Sequence, residues 1–114
     1  MTQKLRILLV DDEINMLESL GDILRAERYQ VATASSGAEA INRLDKIGNI
    51  DLMITDLKMP RMSGMELLKT VSERWPSIKT IVLTGHGSVE SAVEAMRNGA
   101  YDFLLKPFQP EDAL

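Results

Sequence analysis

Short apolar runs rich in β-branched residues alternate along this chain with longer segments whose apolar positions recur every three or four residues. Runs at residues 7–10, 31–34, 52–55, 80–83 and 103–105 predict five strands, and the segments between them predict helices. Strands alternating with helices define an α/β domain. Each crossover is long enough for a right-handed parallel connection. The strand runs lack strict apolar and polar alternation, as expected where helices cover both faces of a central sheet.

Helix boundaries are marked locally. Ser36 with Glu39 and Ser63 with Glu66 both fit the Ser-x-x-Glu capping box, which predicts helices starting near Gly37 and Gly64. The first helix, residues 13–27, carries Ile14, Leu17, Leu20, Gly21 and Leu24 on one stripe. The fourth, residues 89–97, is expected to turn Val89, Val93 and Met96 inward and Glu90, Glu94 and Arg97 outward. The Met and Leu stripes read as core rather than as a ligand groove. Trp75 and Pro76 mark the end of the third helix. Glu111 to Leu114 resemble the first turn of a further helix, with Pro110 near its start. One turn is not stable alone, so a domain with a truncated last helix, cut from a longer protein, is expected.

The strands end on polar residues of different kinds. Asp11 and Asp12 follow the first, Asp56 ends the third, Thr84 follows the fourth and Lys106 the fifth. In a parallel sheet the ligand crevice lies outside the carboxyl ends of the strands, so these residues predict one shared site. Carboxylates brought within about 5 Å repel by roughly 3 kcal/mol per pair at an effective dielectric near 20. Lys106 alone cannot offset three such interactions, whereas a divalent cation can. An all-oxygen site suits magnesium or calcium, and magnesium is preferred if phosphate shares it. Asp56, alone on a central strand, is the best nucleophile for an acyl phosphate, with Thr84 and Lys106 serving the phosphoryl oxygens. Asp11 and Asp12 fit direct and water-mediated metal ligands. The plainer reading is that Asp11 or Asp12 only caps the first helix.

The remaining features bound these expectations. At 114 residues the chain fits a single domain. The net charge of -4 argues against nucleic-acid contact by this segment. The absence of cysteine excludes disulfides and thiolate zinc sites. Neither a signal peptide nor an apolar membrane span is recognisable, so a cytoplasmic protein without membrane contact is expected.

Leu8-Leu9-Val10-Asp11-Asp12-Glu13, Ile54-Thr55-Asp56-Leu57-Lys58-Met59-Pro60, Leu83-Thr84-Gly85 and Leu105-Lys106-Pro107-Phe108 occur in this order, with Gly64 after the Asp56 loop. Together they resemble the receiver domain of two-component response regulators, over essentially the whole of residues 1–114. The resemblance implies a flavodoxin-like (βα)5 three-layer sandwich with a parallel five-stranded sheet of order 2-1-3-4-5. It implies phosphoryl transfer from the phosphohistidine of a sensor histidine kinase to Asp56. Asp12, Asp56 and the Lys58 backbone carbonyl are then direct Mg2+ ligands and Asp11 a water-mediated one, while Lys106 pairs with the phosphoryl group through a cis Lys106–Pro107 bond. Thr84 and Phe103 resemble the family's switch pair; Phe stands where Tyr is frequent, and the alternative is that Phe103 is simply core. Lys58 and His86 resemble positions bordering the water that hydrolyses the acyl phosphate; the plainer reading is that His86, between Gly85 and Gly87, is an ordinary loop residue without the rigid support a catalytic base needs. The stretch from Thr84 to Glu90, with the one from Ala95 to Phe103, is most similar to receivers of sigma-54-dependent transcription activators. An attached output domain follows from that likeness. Output is expected to pass through the surface of the fourth helix, fifth strand and fifth helix, and a homodimer is counted among the expected partners.

Two other functions compete. Haloacid-dehalogenase-like phosphatases share an aspartyl nucleophile, a hydroxyl, a Lys and magnesium. They place the nucleophile on the first strand with a second Asp two residues on, whereas residue 13 here is Glu. A degenerate receiver or ligand-binding module would not need Asp11, Asp12, Asp56, Thr84 and Lys106 together. No Gly-rich phosphate loop follows the first strand. A stand-alone receiver acting by protein–protein interaction is the variant closest to the main reading.

Overall fold

A computed structural model describes residues 5–84 and 89–105, with Thr84, Val89 and Leu105 described by backbone alone. Five strands alternate with four helices in this range: β1 (Arg6–Val10), α1 (Ile14–Ala26), β2 (Gln30–Ala34), α2 (Gly37–Ile47), β3 (Leu52–Asp56), α3 (Gly64–Arg74), β4 (Lys79–Thr84), α4 (Val89–Arg97) and β5 (Asp102–Leu105). The sheet order is β2-β1-β3-β4-β5 with every neighbouring pair parallel. This is the doubly wound order that the resemblance implies, and it reverses direction between β1 and β3. The expected last helical turn and the Lys106–Pro107 bond lie outside the described residues.

Each strand face has its own core. Leu8, Val10 and Met53 pack with Ala40 and Leu44 of α2 and with Leu67 and Val71 of α3. On the opposite face Ile7, Leu9, Ile54 and Leu83 pack against Leu17, Leu20 and Leu24 of α1. Val82 meets Leu68 and Ala95 in a smaller cluster toward α3 and α4. Burial on both faces explains why the central strands read as continuous apolar runs. Ile14, at the head of the α1 stripe, stays exposed. Among the described residues no helix is long and apolar enough to cross a membrane.

The capping serines act as expected. Ser36 Oγ accepts from the Glu39 N–H at 3.1 Å, and Ser63 Oγ accepts from the Glu66 N–H at 3.2 Å. The return arm differs: the Glu39 carboxylate accepts from the backbone N–H and hydroxyl of Ser35, one residue earlier than the box predicts. The α2 start is thereby tied to the end of β2. α3 ends at Arg74 with Trp75 as its C-cap, in agreement with the Trp75-Pro76 signal.

The expected inward face of α4 is corrected. Val93 and Met96 are 45% and 41% exposed, whereas Ala92 and Ala95 are buried. The Val89 side chain lies outside those described. Small alanines let the helix backbone approach the sheet closely, so the buried stripe falls one position before the one that side-chain size suggested. Val93 and Met96 turn toward the surface, as do Glu90, Glu94 and Arg97.

Candidate functional site

Sheet register assembles the site. Val10 of β1 pairs with Thr55 of β3, so the next residues, Asp11 and Asp56, emerge side by side at the same end of the sheet. Asp56 pairs with Leu83 of β4, which places the Thr84 backbone beyond it, and Thr84 in turn pairs with Leu105 of β5. Lys106 and His86 lie outside the described residues, as does the Thr84 side chain.

Asp11, Asp12 and Asp56 converge. A carboxylate oxygen from each lies within 4.8 Å of the others. Asp11 and Asp56 are only 2% and 8% exposed, while Asp12 is exposed, giving the group a buried floor and one open side. Local turns fix the two buried carboxylates. Asp11 Oδ1 accepts from the Glu13 N–H at 3.0 Å, and Asp56 Oδ1 accepts from the Lys58 N–H at 3.4 Å. Such side-chain-to-backbone bonds two residues on are the usual device by which Asp shapes a turn. Asp11 therefore does help to set the entry to α1, whose N-cap residue Glu13 makes no side-chain cap bond. That role coexists with its place in the cluster.

The donor set fits a hard divalent cation. At these separations each carboxylate pair repels by about 3 kcal/mol at an effective dielectric near 20. All the converging side-chain ligands are oxygens, which suits magnesium or calcium and disfavours softer metals.

Two supports lie behind Asp56. A Cβ added at Gly64 would sit 2.0 Å from the Asp56 carbonyl oxygen and 2.6 Å from the Leu57 Cα. Only glycine lets the start of α3 pass this close to the end of β3. Thr55 is fully buried and its hydroxyl donates to the Asp56 carbonyl at 3.0 Å. Its role was not read from the sequence; the available signal was a lone hydroxyl inside an otherwise apolar strand, directly before the acceptor candidate. Phe103 on β5 pairs with Val82 and is 37% exposed, so it is not a core side chain.

Residues 7–114 match the response regulator receiver domain. The transcriptional regulatory protein GlrR of Escherichia coli is 44% identical over 108 residues, which are 95% of this chain and 24% of that protein. The C4-dicarboxylate transport transcriptional regulatory protein DctD of Pseudomonas aeruginosa is 40% identical over 112 residues, covering 96% of this chain and 23% of its own length. The chain thus spans about a quarter of the curated relatives it matches. A response regulator receiver domain protein from Clostridium thermocellum superposes with a TM-score of 0.90 at 37% identity, covering 96% of this chain and 87% of that one.

Proposed function

The chain belongs to the response regulator receiver domain family, and from that membership we propose that Asp56 accepts a phosphoryl group from a sensor histidine kinase. The observation that carries this reading is the convergence of Asp11, Asp12 and Asp56 at one end of a receiver sheet. An Asp56 carboxylate oxygen attacks phosphorus, the donor P–N bond breaks, and its electron pair leaves with the imidazole nitrogen, giving an acyl phosphate.

Asp12, Asp56 and the Lys58 backbone carbonyl would hold magnesium directly, and Asp11 through water. When bound, that ion supplies the positive charge that lets the phosphoryl oxygens approach three carboxylates. Lys106 contributes an ammonium to the same oxygens and Thr84 a hydroxyl. The half-exposed ring of Phe103 then turns into the space that Thr84 vacates, which biases a two-state equilibrium. A Phe ring gains no hydrogen bond on turning in, so its buried state rests on packing. Lys58 and His86 border the hydrolytic water and set the lifetime of the acyl phosphate.

Transcription control through an attached output domain follows from the likeness to GlrR and DctD and to sigma-54-dependent activators. A cytoplasmic protein that forms homodimers, with no direct nucleic-acid contact by this domain, completes the reading. The test uses phosphoramidate, a small P–N donor, with magnesium. We expect a label on the protein that hydroxylamine removes, as it does acyl phosphates; an unlabelled protein or a hydroxylamine-stable label would overturn the proposal.

A further inference from the structure

The loop between β3 and α3 carries both the turn that holds the Asp56 carboxylate and the Lys58 carbonyl, and something must fix its shape. Leu57 and Met59 are buried, and Met62 is half-buried against the core that contains Ala34, Ala40, Leu44 and Met59. Met62 rests on one particular residue. A Cβ added at Gly37, the first residue of α2, would lie 2.7 Å from Met62 Sδ, 2.9 Å from its Cγ and 3.0 Å from its Cβ.

The backbone does not require glycine at this position. The positive-φ glycines among the described residues are Gly48 and Gly99. Gly37 is instead an ordinary helical residue, where alanine is the better helix former. Space, not conformation, therefore explains the missing side chain. Arg61, immediately before Met62, has a φ of 69°. A non-glycine residue in the left-handed region persists where its surroundings over-determine it. The seat itself is anchored, because Ser35, Ser36 and Glu39 bind the start of α2 to the end of β2.

We propose that Met62 is a positioning residue for phosphoryl transfer at Asp56: its side chain seats on Gly37 and holds residues 57–63, and with them the Lys58 backbone, against the carboxylate cluster. The inference rests on the acceptor role of Asp56 and adds a contact between that loop and α2, an element that supplies none of the reacting groups.

The test is a double-mutant cycle on the intact chain with Gly37→Ala, Met62→Ala and the combination, plus Met62→Leu. Magnesium affinity is measured by calorimetry and the acetyl phosphate labelling rate by intact mass, at a temperature where circular dichroism shows each variant fully folded. We expect both single alanine variants to weaken magnesium binding and slow labelling, by on the order of tenfold, since ångström-scale misplacement carries penalties of this kind. The double variant should lose less than the product of the two, because removing the Met62 thioether makes room for the alanine methyl. Met62→Leu, which refills most of the seat, should restore both quantities. Folded Gly37→Ala or Met62→Ala protein with wild-type affinity and rate would overturn the inference, as would losses that simply multiply. A wild-type chain that takes up neither magnesium nor a phosphoryl group would instead overturn the acceptor reading, and this inference with it.

Discussion

Removing one charge from the carboxylate cluster should stabilise the protein when metal is absent. In Asp12→Asn the side chain keeps its shape and loses its charge, and Asp12 is the exposed member of the group, so packing hardly changes. With the three ligand oxygens within 4.8 Å of one another, each pair repels by about 3 kcal/mol at an effective dielectric near 20. Asp12 takes part in two such pairs. Water and salt screen an exposed group strongly, which reduces the net gain to about 1–2 kcal/mol. Urea unfolding followed by circular dichroism in EDTA should show the variant more stable than wild type by that amount. Magnesium reverses the advantage: at a hundredfold excess over its dissociation constant it stabilises the wild type by about 2.7 kcal/mol, and the variant, short of one ligand, by less. A variant less stable than wild type in EDTA would refute the repulsion argument. Equal stabilisation of both proteins by magnesium would refute the assignment of Asp12 as a ligand.

Two further outcomes follow from the geometry. Gly64→Ala drives a methyl into the Asp56 carbonyl, so it should lower stability by about 1–3 kcal/mol in urea titrations and slow acetyl phosphate labelling by on the order of a hundredfold; labelling at the wild-type rate would show that the loop can yield. On α4, Ala95→Leu should cost about 1–3 kcal/mol through overpacking, while Met96→Ala should change stability by under about 0.5 kcal/mol, and the opposite ranking would restore the inward face that the apolar pattern first suggested.

The parts of the molecule legible in the sequence are those where a single physical rule acts alone. Continuous apolar runs bounded by turn residues located β1 to β5, and Ser36 and Ser63 located two helix starts to the residue, because capping is a local bargain between side chain and backbone. Asp11, Asp12 and Asp56 were readable as one group because a parallel sheet points all its strand ends to one edge, and the doubly wound order makes β1 and β3 neighbours. α4 was misread where two rules compete. Hydropathy favours Val93 and Met96 for burial, but close approach to the sheet favours Ala92 and Ala95, and proximity prevails. Thr55 and the Met62–Gly37 contact were not legible for a different reason. Each depends on which residues meet across 1 to 25 positions of chain, and a hydroxyl in a strand or a glycine at a helix start carries no sign of its partner.

The central claim is that Asp56 is the phosphoryl acceptor, and intact-mass analysis after incubation with acetyl phosphate and magnesium tests it most directly. Wild type should gain about 80 Da, the mass of one phosphoryl unit replacing a proton, and Asp56→Asn should gain nothing. An equal gain on Asp56→Asn, or none on wild type, would contradict the account.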